Sequence, residues 1–179
     1  MGNIKGKNIL EIVCGGAQNS IYFAKQGAKV TALDQSKEQL NFARKLAKKS
    51  KTSIEFNNGS FNNLHMIKSN SQDIVFSAFA LQYSNNLKKC FSEVYRVLKK
   101  KGVFVFSLNH PFFRVVSSKS MKVKRSYFKT GKFLDTDGFL TYFHTISELF
   151  NPLIKIGFKV EKILEPEDNN KYPDPWRGL

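Results

Sequence analysis

The sequence predicts an α/β fold in three layers, with helices covering a mostly parallel sheet. Three observations predict it. Short apolar runs alternate with helical patterns from Asn8 to Leu164. The stretch Asn8 to Asp34 reads as strand, glycine loop, helix, strand and terminal acid, a βαβ unit with a ligand crevice above its strand ends. A chain of 179 residues with 41% hydrophobic content holds one domain with one full core. Together these define a Rossmann-like three-layer sandwich. The expected strand order is 3-2-1-4-5, with a sixth strand at the edge.

The first unit carries the most information. Ile9, Leu10, Ile12 and Val13 form an apolar run of strand length, as in a strand buried on both faces. Gly15-Gly16 supplies a sharp turn where a ligand can approach the backbone. Asn19 or Ser20 can cap the next helix, which carries Ile21, Phe23 and Ala24 and stops at Gly27. Val30 to Leu33 is a second buried strand. Asp34 ends it, where a carboxylate can accept bonds from both hydroxyls of a ribose. A dinucleotide site wants G-x-G-x-x-G, and Val13-Cys-Gly-Gly-Ala-Gln18 does not meet it.

The remaining elements follow in order. Ser36 to Lys49 is a helix, with Ser36 and Gln39 as a capping box and Leu40, Ala43, Leu46 and Ala47 as its core stripe. Ser53 to Phe56 is the third strand and Gln72 to Ala78 the fourth. Leu87 to Leu98 is a helix with Cys90, Phe91, Val94, Tyr95 and Leu98 at helical spacing. Gly102 opens the fifth strand, Val103 to Leu108. The run from Arg114 to Leu140 is basic and aromatic, with no clean period. Long irregular segments of this kind are lids or binding loops, and Tyr127, Phe128, Gly131 and Phe133 are its candidate lid residues. Thr145 and Glu148 form a second capping box. The helix they open runs through Leu149, Leu153 and Ile156, and Pro152 should kink it or delay its start. Phe158 to Leu164 is the expected sixth strand. Glu167 to Leu179 is polar and proline-rich and offers no apolar run for a seventh. The expected organisation is a single domain over 1–179, with 109–144 inserted as a lid or substrate loop.

The stretch from Glu11 to Asp34 resembles the first motif of class I S-adenosylmethionine-dependent methyltransferases, roughly D/E-x-G-x-G-x-G. Glu11, Gly15 and Asp34 match it, while Val13 and Ala17 depart. Leu33 to Leu40 is similar to that family's strand-end acid and following helix start. Glu93 to Gly102 resembles E-x-x-R-V-L-K-P-G-G, with Lys100 and Lys101 in place of the proline and the first glycine. Phe79 to Tyr83 looks like the family's fourth motif. His110-Pro111-Phe112, Phe143-His144-Thr145, Gly157-Phe158 and Glu165-Pro166 resemble a small type-11-like group within it.

The resemblance implies S-adenosyl-L-methionine as cofactor. Glu11 and the Gly15-Gly16 backbone would hold its methionine end, and Asp34 its ribose. Ser60 and Phe61 would hold the adenine, with Phe61 on the ring face, and Ala78 would offer a backbone carbonyl to the amino group. Val13 and Gln35 belong to the same cofactor-binding set. Val13 is β-branched and resists a left-handed turn, so it is expected to lengthen the first strand by one residue and weaken cofactor binding.

Methyl transfer from a sulfonium is an in-line displacement of an already activated group. The protein mainly aligns the partners and excludes water. For a hydroxyl acceptor a base near the tip of the fifth strand helps. His110 is the first candidate catalytic residue and His144 the second. Dispersed histidines and cysteines make no metal site. The expected function is methyl transfer to a small-molecule acceptor. Two alternatives are a methyltransferase-fold interaction module with weak or no cofactor binding, and an RNA methyltransferase. Net charge is +15, but lysine is spread along the whole chain and arginine is scarce. Nucleic acid is therefore the weaker partner. No run reaches the length of a membrane span, the first residues lack a signal-peptide pattern, and Cys14 and Cys90 read as reduced thiols. A cytoplasmic protein without a membrane partner is expected, and its oligomeric state is open.

Overall fold

The computed structural model describes residues 2–117, 120, 122–134, 138 and 140–165. Five parallel strands form one sheet: β1 (Asn8–Ile12), β2 (Lys29–Asp34), β3 (Ile54–Asn58), β4 (Gln72–Ala78) and β5 (Leu98–Ser107). Their order is β3-β2-β1-β4-β5, as the sequence predicts. β1 is central because Ile9, Leu10 and Ile12 leave no face for water; each is 0% exposed.

Alternation along the strands sorts the helices between two faces. Ile9, Val30 and Ile74 pack with Phe23 of α1 (Gln18–Lys25), and Ala32 packs with Leu40 and Ala43 of α2 (Lys37–Lys49). Leu10, Ile12, Leu33 and Val75 point the other way, onto α3 (Leu87–Val97) and α4 (Ile146–Ile156). The three layers follow directly.

Several boundaries differ from expectation. β5 begins at Leu98, immediately after α3, rather than at Gly102. The chain turns through Lys101 at φ 68, and the β4–β5 register shifts between Gln72 and Ile74. A Cβ on Gly102 would lie 2.9 Å from the Lys99 carbonyl oxygen and 3.2 Å from that of Gln72, so only glycine lets the backbones pass here. Neither Asn19 nor Ser20 caps α1. Its N-cap is Ala17, which offers no side-chain bond. The helix of Thr145 and Glu148 does carry the full capping box, and it runs across Pro152 instead of starting after it.

The sixth strand is corrected. Residues 158–165 enter no strand, and 159–165 are exposed. Phe158 packs against Tyr95 and Phe104, but Lys159, Glu161 and Lys162 leave too little apolar surface for the segment to bury a face. The segment Glu167–Leu179 lies outside the described residues. The expected lid is partly built: β6 (Gly131–Leu134) and β7 (Leu140–Phe143) form a separate antiparallel pair. Arg125 stands 5.2 Å and 5.5 Å from the ring centroids of Phe133 and Phe143. The Tyr127 hydroxyl accepts from the Ile146 amide at 2.7 Å, which ties this region to the start of α4. Among the described residues no helix is long and apolar enough to cross a membrane.

Candidate active site

The loop from β1 to α1 lies over the carboxyl edge of the sheet. Val13, Gly15 and Ala17 all have left-handed backbone, at φ 55, 51 and 59. These are the three glycine positions of the first motif. Val13 was expected to stay extended, yet β1 stops at Ile12 and Val13 turns. For a β-branched residue that conformation is costly and must be imposed by its surroundings. Asp34 imposes much of it. Its Oδ2 accepts from the Gly15 amide at 2.8 Å and its Oδ1 from the Ser36 amide at 2.9 Å. The Cys14 amide donates to the Leu33 carbonyl at 2.9 Å, and the Ala17 amide to the Cys14 carbonyl at 2.8 Å. A Cβ on Gly16 would come within 2.9 Å of the Gln18 side-chain nitrogen and 3.1 Å of the Phe42 ring, so a larger residue here would displace both side chains.

Glu11 acts from beneath the loop. Its side chain is 1% exposed. Oε1 accepts from the Asn19 side-chain amide at 3.0 Å, and Oε2 accepts from the Ser20 amide at 2.9 Å and from the Ser20 hydroxyl. The carboxylate thus does the capping that α1 lacks at Ala17. Burial pushes its pKa up against these donors. Glu11 thus braces the first turn of α1 from beneath. Cys14 is buried as well, and its thiol is pushed far above the usual range, so it supplies no thiolate.

The segment after β3 frames the opposite side. The Asn58 side chain donates to the Asp34 carbonyl at 3.0 Å and the Gln35 carbonyl at 2.9 Å, binding the tips of β2 and β3 together. The Ser60 hydroxyl accepts from the Asn62 amide at 3.2 Å. Phe61 is 2% exposed and belongs to the core with Leu10, Leu33 and Leu64. Its ring lies in the core beside the tip of β2. A clasp from α3 holds the segment. Arg96 pairs with Glu93 at 2.8 Å and donates to the carbonyls of Leu64 at 2.8 Å and Ile67 at 3.1 Å. Glu93 accepts from the Leu64 amide at 2.7 Å. The Arg96 hydrogen bond holds the Glu93 carboxyl below its ordinary range.

At the tips of β4 and β5 the hairpin β6–β7 closes a cavity of about 30 Å³, room for roughly one small group. Leu81, Leu108, Phe133, Phe143 and Leu149 make its apolar wall, with Gln82 and His144 among its polar members. The two candidate bases differ. His110 Nδ1 accepts from the Phe112 amide at 3.1 Å, and Nε2 lies 2.8 Å from Glu165. Both ring nitrogens are engaged, so His110 has no lone pair free to take a proton. His144 Nε2 faces the Ser84 carbonyl at 3.3 Å. A carbonyl only accepts, so Nε2 is the donor of this pair.

The structure thus gathers Val13, Gly15, Gly16, Asp34 and Gln35 around one loop, sets Ser60 across from it and Ala78 at the end of β4, and leaves His144 as the base candidate. Sequence reasoning missed Asn58, Gln82 and the clasp. Glu93 and Arg96 were visible as parts of a motif, but nothing in their spacing says which loop they hold.

A parallel sheet in this order, with a strand-end acid beside a left-handed loop, defines the class I S-adenosylmethionine-dependent methyltransferase fold. The chain belongs to the methyltransferase domain family, whose model matches residues 10–106, more than half of its length. It is 28% identical over 177 residues to a Bacillus subtilis (strain 168) protein described as an uncharacterized methyltransferase, YbaJ, covering 90% of this chain and 69% of that one. It is 32% identical over 102 residues to the malonyl-[acyl-carrier protein] O-methyltransferase of Pectobacterium atrosepticum, covering 57% of this chain and only 38% of that relative. The crystal structure of an S-adenosylmethionine-dependent methyltransferase from Mesorhizobium loti superposes with a TM-score of 0.80 at 25% identity, covering 90% of this chain and 78% of that one.

Proposed function

We propose that this chain transfers a methyl group from S-adenosylmethionine to a small-molecule acceptor over the carboxyl ends of β1, β4 and β5. The observation that carries the reading is the first loop. Val13 and Ala17 keep a glycine-like backbone although neither is glycine. A conformation retained against its local cost is one the site uses.

The residues present fit the cofactor. An ionised carboxylate offers about four lone-pair positions. Asp34 uses one on each oxygen for the Gly15 and Ser36 amides and keeps the others for ribose hydroxyls. The Gly15-Gly16 backbone receives the methionine end, and Val13 lies along the same surface. Gln35 flanks the ribose. Ser60 and the Ala78 backbone frame the adenine, and Phe61 supports them from the core. The cofactor supplies an activated methyl group. The chain aligns it with the acceptor and keeps water out.

The small apolar cavity under the hairpin suits the reacting end of a small molecule. His144 serves as the base, and His110 secures the turn before Pro111. Backbone amide spectra recorded during titration with S-adenosylmethionine test the site. Gly15, Gly16 and Ser36 are expected to move together. Shifts confined to other parts of the molecule, or none, would reject this placement.

A further inference from the structure

The Asp34 carboxylate is oriented by more than the two amides it accepts from. The Ser36 amide, which meets Oδ1 at 2.9 Å, belongs to the peptide group that joins Gln35 to Ser36. A peptide group is planar, so its carbonyl and its N–H turn together. The carbonyl of that group accepts from the Asn58 side chain at 2.9 Å. The same side-chain nitrogen donates to the Asp34 carbonyl at 3.0 Å, and that carbonyl also accepts from the Gly59 amide at 3.0 Å. Both partners of Asn58 are carbonyls, which only accept, so it is the nitrogen of its amide that faces the tip of β2. That nitrogen carries two hydrogens, one for each carbonyl.

The two carbonyls are not equivalent. Without Asn58, Asp34 keeps its bond from Gly59, but the Gln35–Ser36 peptide plane is released on its carbonyl side. We infer that Asn58 is a positioning residue for the cofactor. By holding the Gln35 carbonyl it sets the peptide plane whose N–H holds Asp34 Oδ1, while Gly15 holds Oδ2 at 2.8 Å. The carboxylate is then fixed before a ligand arrives, and a group already ordered loses less freedom on binding. Asn58 is exposed, so its contribution lies in these bonds and not in buried apolar surface. A competing anchor for Ser36 is its place as N-cap of α2, where its hydroxyl accepts from the Gln39 amide at 3.1 Å. If the cap alone held Ser36, removing Asn58 would leave the Ser36 amide undisturbed.

This role rests on the reading of Asp34 as the ribose-binding acid, so it is tested both with and without cofactor. Amide hydrogen exchange is measured on the cofactor-free parent and on Asn58→Ala. The Ser36 amide is expected to exchange about tenfold faster in the variant. The Leu64 amide, held by Glu93, should keep its rate, and the urea midpoint should hardly move. Titration with S-adenosylmethionine then follows on the parent, Asn58→Ala, Asp34→Ala and the double variant. Asn58→Ala is expected to bind about tenfold more weakly than the parent. In the Asp34→Ala background the same change should cost less than about twofold, because Asn58 acts through Asp34. An unchanged Ser36 exchange rate, an unchanged affinity, or an equal loss with and without the Asp34 carboxylate would overturn the inference. Asn58→Asp, which keeps the shape and removes both donors, carries the same comparison if Asn58→Ala fails to fold. If the parent chain does not bind S-adenosylmethionine, the cofactor reading fails, and the Ser36 exchange rate still judges whether Asn58 orients the carboxylate.

Discussion

Two loops leave the carboxyl edge of the sheet, one after β1 and one after β3, and they are held by opposite means. Residues 13–17 are fixed by hydrogen bonds to the Asp34 carboxylate and the Leu33 carbonyl, with Glu11 bracing the first turn of α1 that follows them, and two non-glycine residues there have left-handed backbone. Residues 59–71 are fixed by apolar burial of Phe61, Leu64 and Ile67 and by the Glu93–Arg96 clasp. The first loop is held by polar groups and keeps strained backbone at the tip of β1. The second spends its side chains inward and supplies rigidity. A change in the second loop should therefore be read as stability, and a change in the first mainly as binding.

Phe61→Ala breaks the second loop most severely. It opens a cavity in the main core and is expected to cost about 3–5 kcal/mol, seen as a lowered denaturation midpoint. Arg96→Ala comes next. It leaves the Leu64 and Ile67 carbonyls without their donors, and the loss is expected to be about 2–3 kcal/mol. Arg96→Lys should recover only part of it, because an ammonium cannot reproduce the fork that reaches Glu93 and both carbonyls.

The same clasp predicts a pH dependence. The Glu93 carboxyl is held below its ordinary value of 4.5 by Arg96. A depressed folded pKa stabilises the protein above the unfolded value, and that stability is lost as pH falls through the folded one. Arg96→Met should therefore lose less stability than the parent as acid is added below pH 4.5, by about 1 kcal/mol or less for a partly exposed pair.

The smallest effect is expected in the first loop. Val13→Gly relieves about 1–2 kcal/mol of left-handed strain, but surrenders side-chain packing and chain entropy, so its net gain stays under about 1 kcal/mol. Val13→Ala gives up packing without the relief. Glycine should thus be the more stable of the two variants in urea, although its side chain is smaller. The opposite ranking would mean that the loop carries no strain.

The sheet was legible because its signals are local and repeated. Apolar runs, glycine loops and a strand-end acid placed β1 to β4 closely, and the two motifs gave the family. What stayed illegible was where a side chain spends its bonds. Glu11 looked like a ligand and caps a helix. Phe61 looked like an adenine platform and fills the core. His110 looked like the better base, but its nitrogens are taken by the Phe112 amide and Glu165. Each outcome depends on a partner distant in sequence or on a backbone group that carries no residue signal. Val13 failed for another reason: its intrinsic preference was read correctly and then overruled by the hydrogen bonds of its neighbours. Gln82 sat inside a recognised segment, but only the folded structure shows that its oxygen is buried without a partner among the described residues.

The central claim is that Asp34 and the left-handed loop together form the cofactor site. Calorimetric titration of S-adenosylmethionine into the parent chain and into Asp34→Ala tests it most directly. The parent is expected to bind with a Kd on the order of tens of micromolar, and the variant at least about tenfold more weakly. Equal affinity in the two proteins would contradict the account.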